Sequence, residues 1–198
     1  MADIADRVRI EDETLLSDWH YVLKKVRYSW RRSDGNWQPS TREVYDRGNG
    51  AAILLFNRNT RTVVLTRQLR IPTYLNGYRG LMIEAAAGVL DGDSPEKRIR
   101  EEAEEETGYR PKNIRKVFEL FMSPGAVTER LHLFVAEYDS RDRPGPGGGL
   151  KDEGEDIEVL ELPFAEAMAM AADGRICDAK TVVLLQYAAL NLFGGDDA

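Results

Sequence analysis

The first 45 residues alternate apolar and polar positions, a pattern typical of strands with one covered face. Aromatic and aliphatic residues stand at nearly every second position over residues 13–32, with one break at Lys24-Lys25, which predicts extended structure. Residues 33–36 (Ser-Asp-Gly-Asn) predict a turn, and a further extended segment follows at residues 41–45. We therefore expect residues 1–45 to form a small antiparallel sheet.

The pattern changes after residue 45, where shorter and more uniformly apolar runs begin. Residues 51–56 and 62–66 are apolar or β-branched, and residues 57–60 between them predict a hairpin at the centre of a sheet. Other runs predict strands at residues 82–87, 117–122, 131–138 and 158–163, and helices at residues 95–107, 164–172 and 181–193. The predicted fold class is α+β, with a domain at residues 46–198 built on a mixed sheet packed between helices.

A long connection precedes the last predicted strand. Residues 139–154 are rich in glycine, proline and charge, with Pro-Gly-Pro-Gly-Gly-Gly at 144–149. This composition predicts a mobile loop. The segment is longer than most connections between elements, which favours a role as a lid or a binding loop.

Composition and charge exclude several classes of protein. The 198 residues include 34 acidic and 27 basic ones, and the net charge of −7 disfavours broad contact with nucleic acid. The one cysteine, Cys177, excludes a disulfide within the chain, and no apolar run approaches the roughly 20 residues of a membrane-spanning helix. The start of the chain lacks the basic flank of a signal peptide. We expect a cytoplasmic protein that binds neither nucleic acid nor a membrane.

The most informative segment is an acidic helix. Ser94 is a predicted N-cap, Pro95 suits the first helical position, and Gly108 suits the residue after the helix. Five of the six residues at 101–106 are glutamate, and like charges one turn apart destabilise such a helix by about 1–2 kcal/mol in total. A bound counter-charge would offset this repulsion.

Three of these glutamates share one arc of the helix, bordered by two apolar residues that we expect to face the core. The glutamates are Glu102, Glu105 and Glu106, and the apolar residues are Ile99 and Ala103. Convergent carboxylates without a neighbouring histidine or cysteine suit a hard cation, Mg²⁺ or Mn²⁺, which prefers oxygen ligands. The helix alone leaves a second interpretation open, a solvated charged face on which Arg98 and Arg100 pair with glutamates one turn along.

Residues 87–109 resemble the Nudix box, a loop-helix-loop that binds a divalent metal against a diphosphate. Gly88 and residues 102–109 match its pattern of glycine and glutamates. Three departures are present: Ser94 stands where the first glutamate belongs, the following spacer is one residue shorter, and Glu101 replaces an arginine whose salt bridge steadies the helix. The resemblance implies a Nudix α/β/α sandwich with a mixed central sheet.

The shortened box is similar to that of the Nudix branch that hydrolyses GDP-mannose and related nucleotide sugars. Other segments resemble the same branch, at residues 41–50, 67–70, 118–125, 127–129, 147–149, 155–164 and 180–181. The resemblance implies Mg²⁺-dependent cleavage of GDP-mannose to GMP and mannose 1-phosphate, with Mn²⁺ as the second candidate metal. It also implies a homodimer that shares the antiparallel sheet at residues 1–45.

The resemblance implies roles for individual residues as well. The metal ligands would be Glu102 and Glu106, with Glu105 in support and the Ala87 carbonyl and Glu155 completing the shell. The catalytic group would be Glu129, Glu105 and Glu155. Glu129 would act as the general base, with Glu153 and Glu155 in reserve. Glu129 is equally suited to bind a sugar hydroxyl, and Glu155 to be a solvated loop carboxylate.

Substrate contacts need hydrogen-bond donors, and an arginine such as Arg70 can grip a phosphate through two nitrogens. The residues implied in substrate binding are His20, Arg42, Glu43, Arg70, Gly88, Glu129 and Lys180. Arg70 is equally suited to a surface ion pair, and the aromatic residues around His20 to the core or a dimer interface. We interpret His132 and Cys177 as structural.

Other functions stay open at this point. Residues 84–88 (Glu-Ala-Ala-Ala-Gly) resemble a segment of ADP-ribose hydrolases, so cleavage of ADP-ribose to AMP and ribose 5-phosphate is the nearest alternative. Ser94 and Glu101 motivate a second alternative, a noncatalytic protein that binds a nucleotide sugar without turnover. An acidic calcium-binding scaffold is the third.

Overall fold

The computed structural model describes residues 3–150, 152 and 154–194. The chain divides into two compact units: the first contains residues 3–49 with Ser123–Arg130, and the second contains Gly50–Met122 with the described residues from 131 onward. The domain boundary between residues 45 and 46 stays a prediction. Among the described residues, no helix is both long enough and apolar enough to cross a membrane.

The first unit is a three-stranded antiparallel sheet, as predicted. Its elements are a turn of 3₁₀ helix (Ala5–Arg7), β1 (Val8–Ser17), β2 (Val22–Arg31) and β3 (Trp37–Asp46), with β2 in the middle. The extended structure predicted over residues 13–32 is interrupted at residues 18–21, which reverse the chain between β1 and β2, and not at Lys24-Lys25, which lies within β2. Apolar residues continue to alternate through this reversal, which has neither glycine nor proline, so the pattern did not reveal it.

Residues 123–130 join the first unit through the end of β3. The Tyr45 N–H donates to the Ala126 carbonyl at 2.8 Å, and the Thr128 N–H donates to the Tyr45 carbonyl at 3.0 Å. The Thr128 hydroxyl also donates to the Asp46 carboxylate at 2.8 Å. A segment distant in sequence is therefore part of the same small sheet unit.

The second unit is built on a seven-stranded mixed sheet. Its strands are β4 (Gly50–Asn57), β5 (Thr62–Gln68), β6 (Met82–Glu84), β7 (Ala86–Val89), β8 (Lys112–Phe121), β9 (Arg130–Glu137) and β10 (Glu158–Pro163). The main order is β10-β5-β4-β9-β8, with β4 parallel to β9 and the predicted β4–β5 hairpin antiparallel. The strand predicted at residues 82–87 is two strands, because β6 pairs with β5 whereas β7 pairs with β4.

Helices cover both faces of this sheet. Those in the described residues are α1 (Ile71–Leu75), α2 (Pro95–Thr107), α3 (Phe164–Ala172) and α4 (Ala179–Asn191). Alternate residues of β4 enter cores on opposite faces. One core contains Ala51, Ile53 and Leu55 with α2, and the other contains Ala52, Leu54 and Phe56 with α3 and α4. This is the predicted α/β/α sandwich; α1 was not predicted, because five residues show no helical period.

The helix α2 begins and ends where its sequence predicts. The Lys97 N–H donates to the Ser94 hydroxyl at 3.4 Å, and Pro95 occupies the first turn. Gly108 adopts a left-handed conformation with φ of 76°, and its N–H donates to the Glu104 carbonyl at 3.0 Å. Local capping thus fixes both ends of the helix that carries the glutamates.

The glycine-rich segment is docked on the end of α2 rather than free. The Gly148 N–H donates to the Glu106 carbonyl at 2.9 Å, and the Gly149 N–H donates to the Glu105 carbonyl at 3.2 Å. These bonds satisfy two of the carbonyls that a helix leaves unpaired at its C-terminus. The prediction of a mobile loop is therefore corrected for residues 145–149, because glycine composition signals backbone freedom and also permits close approach between two backbones.

A β-carbon at Gly147 tests this contact. Gly147 has φ of 71°, and an added β-carbon would overlap the backbone of Glu106 and Thr107. Gly174 has φ of 85° with open space around it, so Gly174→Ala isolates the cost of the left-handed conformation, about 1–2 kcal/mol. We expect Gly147→Ala to lower the melting temperature by several degrees more than Gly174→Ala in thermal unfolding, and equal losses would contradict the docked geometry.

Candidate active site

The helix α2 buries two of its glutamates beside the sheet. Ile99 and Ala103 are fully buried in the core against β4, as predicted from their positions on the helix. Glu102 and Glu106 lie beside this stripe and keep 6% and 2% of their surface exposed, whereas Glu105 is half-buried. Carboxylates are rarely so buried unless they are paired or bind a metal. The interpretation of the helix as a wholly solvated charged face is therefore wrong.

Glu106 lies at the centre of the site. The Ala87 N–H, on β7, donates to its Oε2 at 3.2 Å. Burial and the negative charges of Glu102 and Glu155 raise the pKa of Glu106 to about 8, against the lowering effects of the Ala87 N–H and the Arg70 charge. A cation placed among these three carboxylates would relieve the repulsion between them.

Glu102 is held against the loop that precedes α2. Arg98, one turn earlier on the helix, contacts Glu102 Oε1 through Nη2 at 2.5 Å and donates from Nε to the Val89 carbonyl at 3.2 Å. A β-carbon at Gly88 would overlap the Glu102 carboxylate, so glycine lets this carboxylate lie against the backbone of β7. Arg98 supplies a salt bridge on α2, where Glu101 replaces the arginine of the Nudix pattern.

Glu155 is presented by the turn that follows the glycine-rich segment. Its Oε2 accepts the Leu150 N–H at 2.9 Å, and its own N–H donates to the Leu150 carbonyl at 3.3 Å. Because Gly148 and Gly149 are bonded to the end of α2, this turn is tied to the helix that carries Glu106. The fold thus brings Glu155 within electrostatic range of Glu106. Glu153 lies outside the described residues.

The donor chemistry of this carboxylate cluster, Glu102, Glu106 and Glu155, fits a hard divalent cation. All its side-chain donors are carboxylate oxygens, and a bound cation would relieve the repulsion that raises the pKa of Glu106. Among the described residues, no three acidic, histidine or cysteine side chains already form a ready-made metal cage. Glu102 faces Arg98 and Glu155 faces the Leu150 amide, so both would turn toward a bound cation.

Two predicted substrate-binding cations meet at a third buried carboxylate. Arg70 contacts Glu84 through Nε at 2.6 Å, and Lys180 contacts the same side chain through Nζ at 2.5 Å. Burial lowers the pKa of Arg70, but the charge and hydrogen bond of Glu84, with the charges of Glu106 and Asp178, raise it overall. Arg70 and Lys180 therefore lie together within the second unit, and the charge of Arg70 also interacts with that of Glu106.

The remaining predicted residues belong to the first unit. Glu129 keeps 15% of its side chain exposed, and Arg47 Nε lies 3.6 Å from its Oε1. His20 lies in the turn between β1 and β2, with its ring centroid 4.3 Å from that of Tyr21. Arg42 and Glu43 are exposed neighbours on β3, opposite Val26 and Lys25 of β2. Their roles in substrate binding stay predictions.

Two residues that the site depends on were not predicted as site residues. Glu84 stands in the apolar run Met-Ile-Glu-Ala-Ala-Ala, and an ionisable residue within a buried strand is itself a signal of a partnered charge. From the sequence, we expect Arg98 to form an ion pair on the solvated face of the helix. Its position four residues before Glu102 was the feature that indicated the observed pair. The structural role of His132 stays a prediction, as does that of Cys177.

An α/β/α sandwich with buried carboxylates at a helix–strand junction defines a class of protein that offers oxygen donors suited to a divalent cation. Two family models match the chain: a GDP-mannose pyrophosphatase NudK N-terminal domain at residues 7–45 and a NUDIX domain at residues 46–185. The chain belongs to the Nudix family. Its NUDIX domain implies dependence on a divalent metal.

Relatives match over nearly the whole chain. A GDP-mannose pyrophosphatase of Pectobacterium atrosepticum is 57% identical over 182 residues, which cover 91% of this chain and 93% of the relative. The protein of that name from Klebsiella pneumoniae is 55% identical over 90% of this chain and 89% of its own length. The one from Escherichia coli K12 is 51% identical, with coverages of 93% and 96%.

Replacing Glu106 by glutamine tests the electrostatic strain at the centre of the site. The pKa of Glu106 is about 8 in the folded protein against an ordinary value of 4.5. The neutral carboxyl therefore favours folding below the ordinary pKa, and this contribution is lost as the pH rises toward 8. We expect Glu106→Gln to raise the melting temperature of the protein in EDTA by several degrees at pH 8 and to change it little at pH 5.

The control is Glu96→Gln on the same helix, where the glutamate side chain is 64% exposed. We expect its effect on melting temperature to be the same at both pH values. Added Mg²⁺ should stabilise the wild type and the control at pH 8 but not Glu106→Gln. An effect of Glu106→Gln that does not depend on pH would contradict the assigned repulsion.

Proposed function

We propose that this protein catalyses the Mg²⁺-dependent hydrolysis of GDP-mannose to GMP and mannose 1-phosphate. The observation that carries the proposal is the buried carboxylate cluster beside Arg70 and Lys180, which combines cation ligands with phosphate donors in one unit. Relatives that are 51–57% identical over most of the chain and are named GDP-mannose pyrophosphatases support the choice of substrate.

The chemistry of the diphosphate explains why this combination of residues is useful. A diphosphate repels an incoming water oxygen, because its own oxygens carry negative charge. Mg²⁺ held by Glu102, Glu106, Glu155 and the Ala87 carbonyl would neutralise that charge and lower the pKa of a coordinated water. Arg70 and Lys180 would bind phosphate oxygens directly, and Gly88 would let the backbone approach the substrate.

Glu129 is the general base of this proposal, with Glu105 in support of the metal ligands. A base must accept a proton from the attacking water as its oxygen bonds to phosphorus and the bridging P–O bond breaks. Arg47 Nε lies 3.6 Å from the Glu129 Oε1, and this ion pair helps to orient the Glu129 carboxylate. His20, Arg42 and Glu43 complete the proposed contacts to base and sugar.

A homodimer and a cytoplasmic location are also parts of the proposal. Apolar side chains that are more than 45% exposed on the first unit support the homodimer: Ile4, Ile10, Leu15, Leu16 and Trp19. Exposed apolar groups in such number favour coverage by a partner surface. The net charge of −7 agrees with a protein that does not bind nucleic acid.

A panel of substrates tests the proposed reaction. With Mg²⁺, we expect GDP-mannose to be turned over faster than ADP-ribose, UDP-glucose or diadenosine polyphosphates, with GMP and mannose 1-phosphate resolved by anion-exchange chromatography. Faster release of AMP from ADP-ribose would overturn the substrate and keep the chemistry. Binding without turnover of any of them would favour the noncatalytic protein, and Glu106→Gln controls for contaminating hydrolases because it should abolish turnover.

The proposed homodimer predicts a particle of twice the chain mass of 22.4 kDa in size-exclusion chromatography with light scattering. We expect Leu15→Glu, which places a charge among the exposed apolar side chains of the first unit, to shift the particle toward the single-chain mass. Glu11→Gln on the same strand is the control, because it adds no charge. A single-chain mass for the wild type would overturn the homodimer.

A further inference from the structure

Glu84 is a buried carboxylate with more positive than negative charge against it. It ends β6 and keeps 3% of its surface exposed. Arg70 donates to it from Nε at 2.6 Å and from Nη2 at 3.4 Å, and Lys180 donates from Nζ at 2.5 Å. A single carboxylate thus holds two cations that come from different parts of the chain, one just before α1 and one in the first turn of α4.

The backbone around Glu84 is bonded to β5 and to the first turn of α4. Thr66 pairs with Glu84 across β5 and β6, and its hydroxyl donates to the Glu84 carbonyl at 3.2 Å. The next residue, Ala85, donates its N–H to the Thr181 hydroxyl at 2.7 Å, which ties the strand to the first turn of α4. Thr181 in turn donates to Asp178, the N-cap of that helix. Glu84 is therefore a rigid anchor.

The side chains of Arg70 and Lys180 differ in how much of their surface remains exposed to solvent. The Arg70 side chain is 41% exposed although two of its nitrogens contact Glu84, whereas Lys180 is 12% exposed and also lies 3.0 Å from Asp178. A lysine ammonium on its long flexible stem has many positions in solution, and the planar arginine has fewer. The contacts with Glu84 remove that freedom and leave an open edge of positive charge beside Glu106.

We propose that Glu84 is a positioning residue that holds Arg70 and Lys180 side by side as a two-cation cradle for the diphosphate of the substrate. The inference rests on the proposed function, because the cradle serves the phosphates of that substrate. Glu84 itself acts through the two cations and does not touch the phosphates. Its negative charge would repel them, so it belongs behind the cradle.

The substitution Glu84→Gln tests the cradle, because the amide has the shape of the carboxylate without its charge. The probe is inorganic pyrophosphate, titrated calorimetrically into the protein in Mg²⁺, alongside kcat and KM for GDP-mannose. We expect Glu84→Gln to weaken pyrophosphate binding and to raise KM by roughly ten- to hundredfold, the usual effect of removing a residue that orients a direct contact. Unchanged or tighter binding would overturn the proposal, because Glu84 would then merely neutralise the cations.

A double-mutant cycle separates positioning from a structural role. If Glu84 acts through Arg70 and Lys180, then Glu84→Gln should weaken pyrophosphate affinity less in an Arg70→Met background than in the wild type, and should have little further effect when Lys180→Met is also present. Additive losses would overturn the proposal. Glu161→Gln is the matched control, because Glu161 is a partnered carboxylate of the same unit that accepts hydrogen bonds from Tyr109 and Tyr138. It should lower the melting temperature and leave pyrophosphate affinity unchanged.

Glu84→Asp tests whether a carboxylate at this position restores binding, and it keeps the proposal testable if Glu84→Gln does not fold. It keeps the charge on a shorter stem, so we expect an affinity between those of the wild type and Glu84→Gln. If Glu84→Gln does not fold, wild-type affinity in Glu84→Asp overturns the proposal and a weaker affinity at retained melting temperature supports it. A wild type that binds pyrophosphate but does not cleave GDP-mannose overturns the proposed function alone, whereas a wild type that binds no pyrophosphate overturns the cradle.

Discussion

The packing of one face of α2 against β4 is the constraint on which the site depends. Ile99 and Ala103 are fully buried in the core that β4 shares with α2, and the helical period places Glu102 and Glu106 beside them. Once the apolar stripe is buried, those two carboxylates enter the junction of helix and sheet. The hydrophobic effect that buries Ile99 and Ala103 therefore also removes the neighbouring carboxylates from water.

The surroundings of the buried carboxylates offset part of that cost. The Ala87 N–H, the Arg98 guanidinium and the Arg70 charge all act on Glu102 or Glu106, yet the pKa of Glu106 still rises to about 8. The protein therefore keeps an excess of negative charge at this junction. A cation bound at this junction would balance that charge, and the proposed phosphate contacts of Arg70 and Lys180 would lie beside it.

The second half of the site is brought in by backbone contacts. Gly148 and Gly149 bond to the carbonyls at the end of α2, which need partners in any case, and the turn that follows them presents Glu155. Glu84 joins the strand β6 to α4 through its contact with Lys180, and the next residue, Ala85, does so through its hydrogen bond to Thr181. Stability and the arrangement of charges are therefore produced by the same contacts.

The sequence by itself determined the elements whose signals are local. The ends of α2 follow from Ser94, Pro95 and Gly108, and the hairpin of β4 and β5 follows from two apolar runs around a turn, because capping and period are set by neighbours in the chain. The placement of several glutamates on one face of α2 was predictable for the same reason.

Only the tertiary structure decided which distant residues meet. The split of residues 82–89 into two strands, the docking of the glycine-rich segment and the meeting of Arg70 and Lys180 at Glu84 all depend on partners far along the chain. A local sequence pattern does not identify partners that are distant in the chain. Long-range pairing is selected by the total burial and charge balance of the folded unit, which no short stretch of sequence contains.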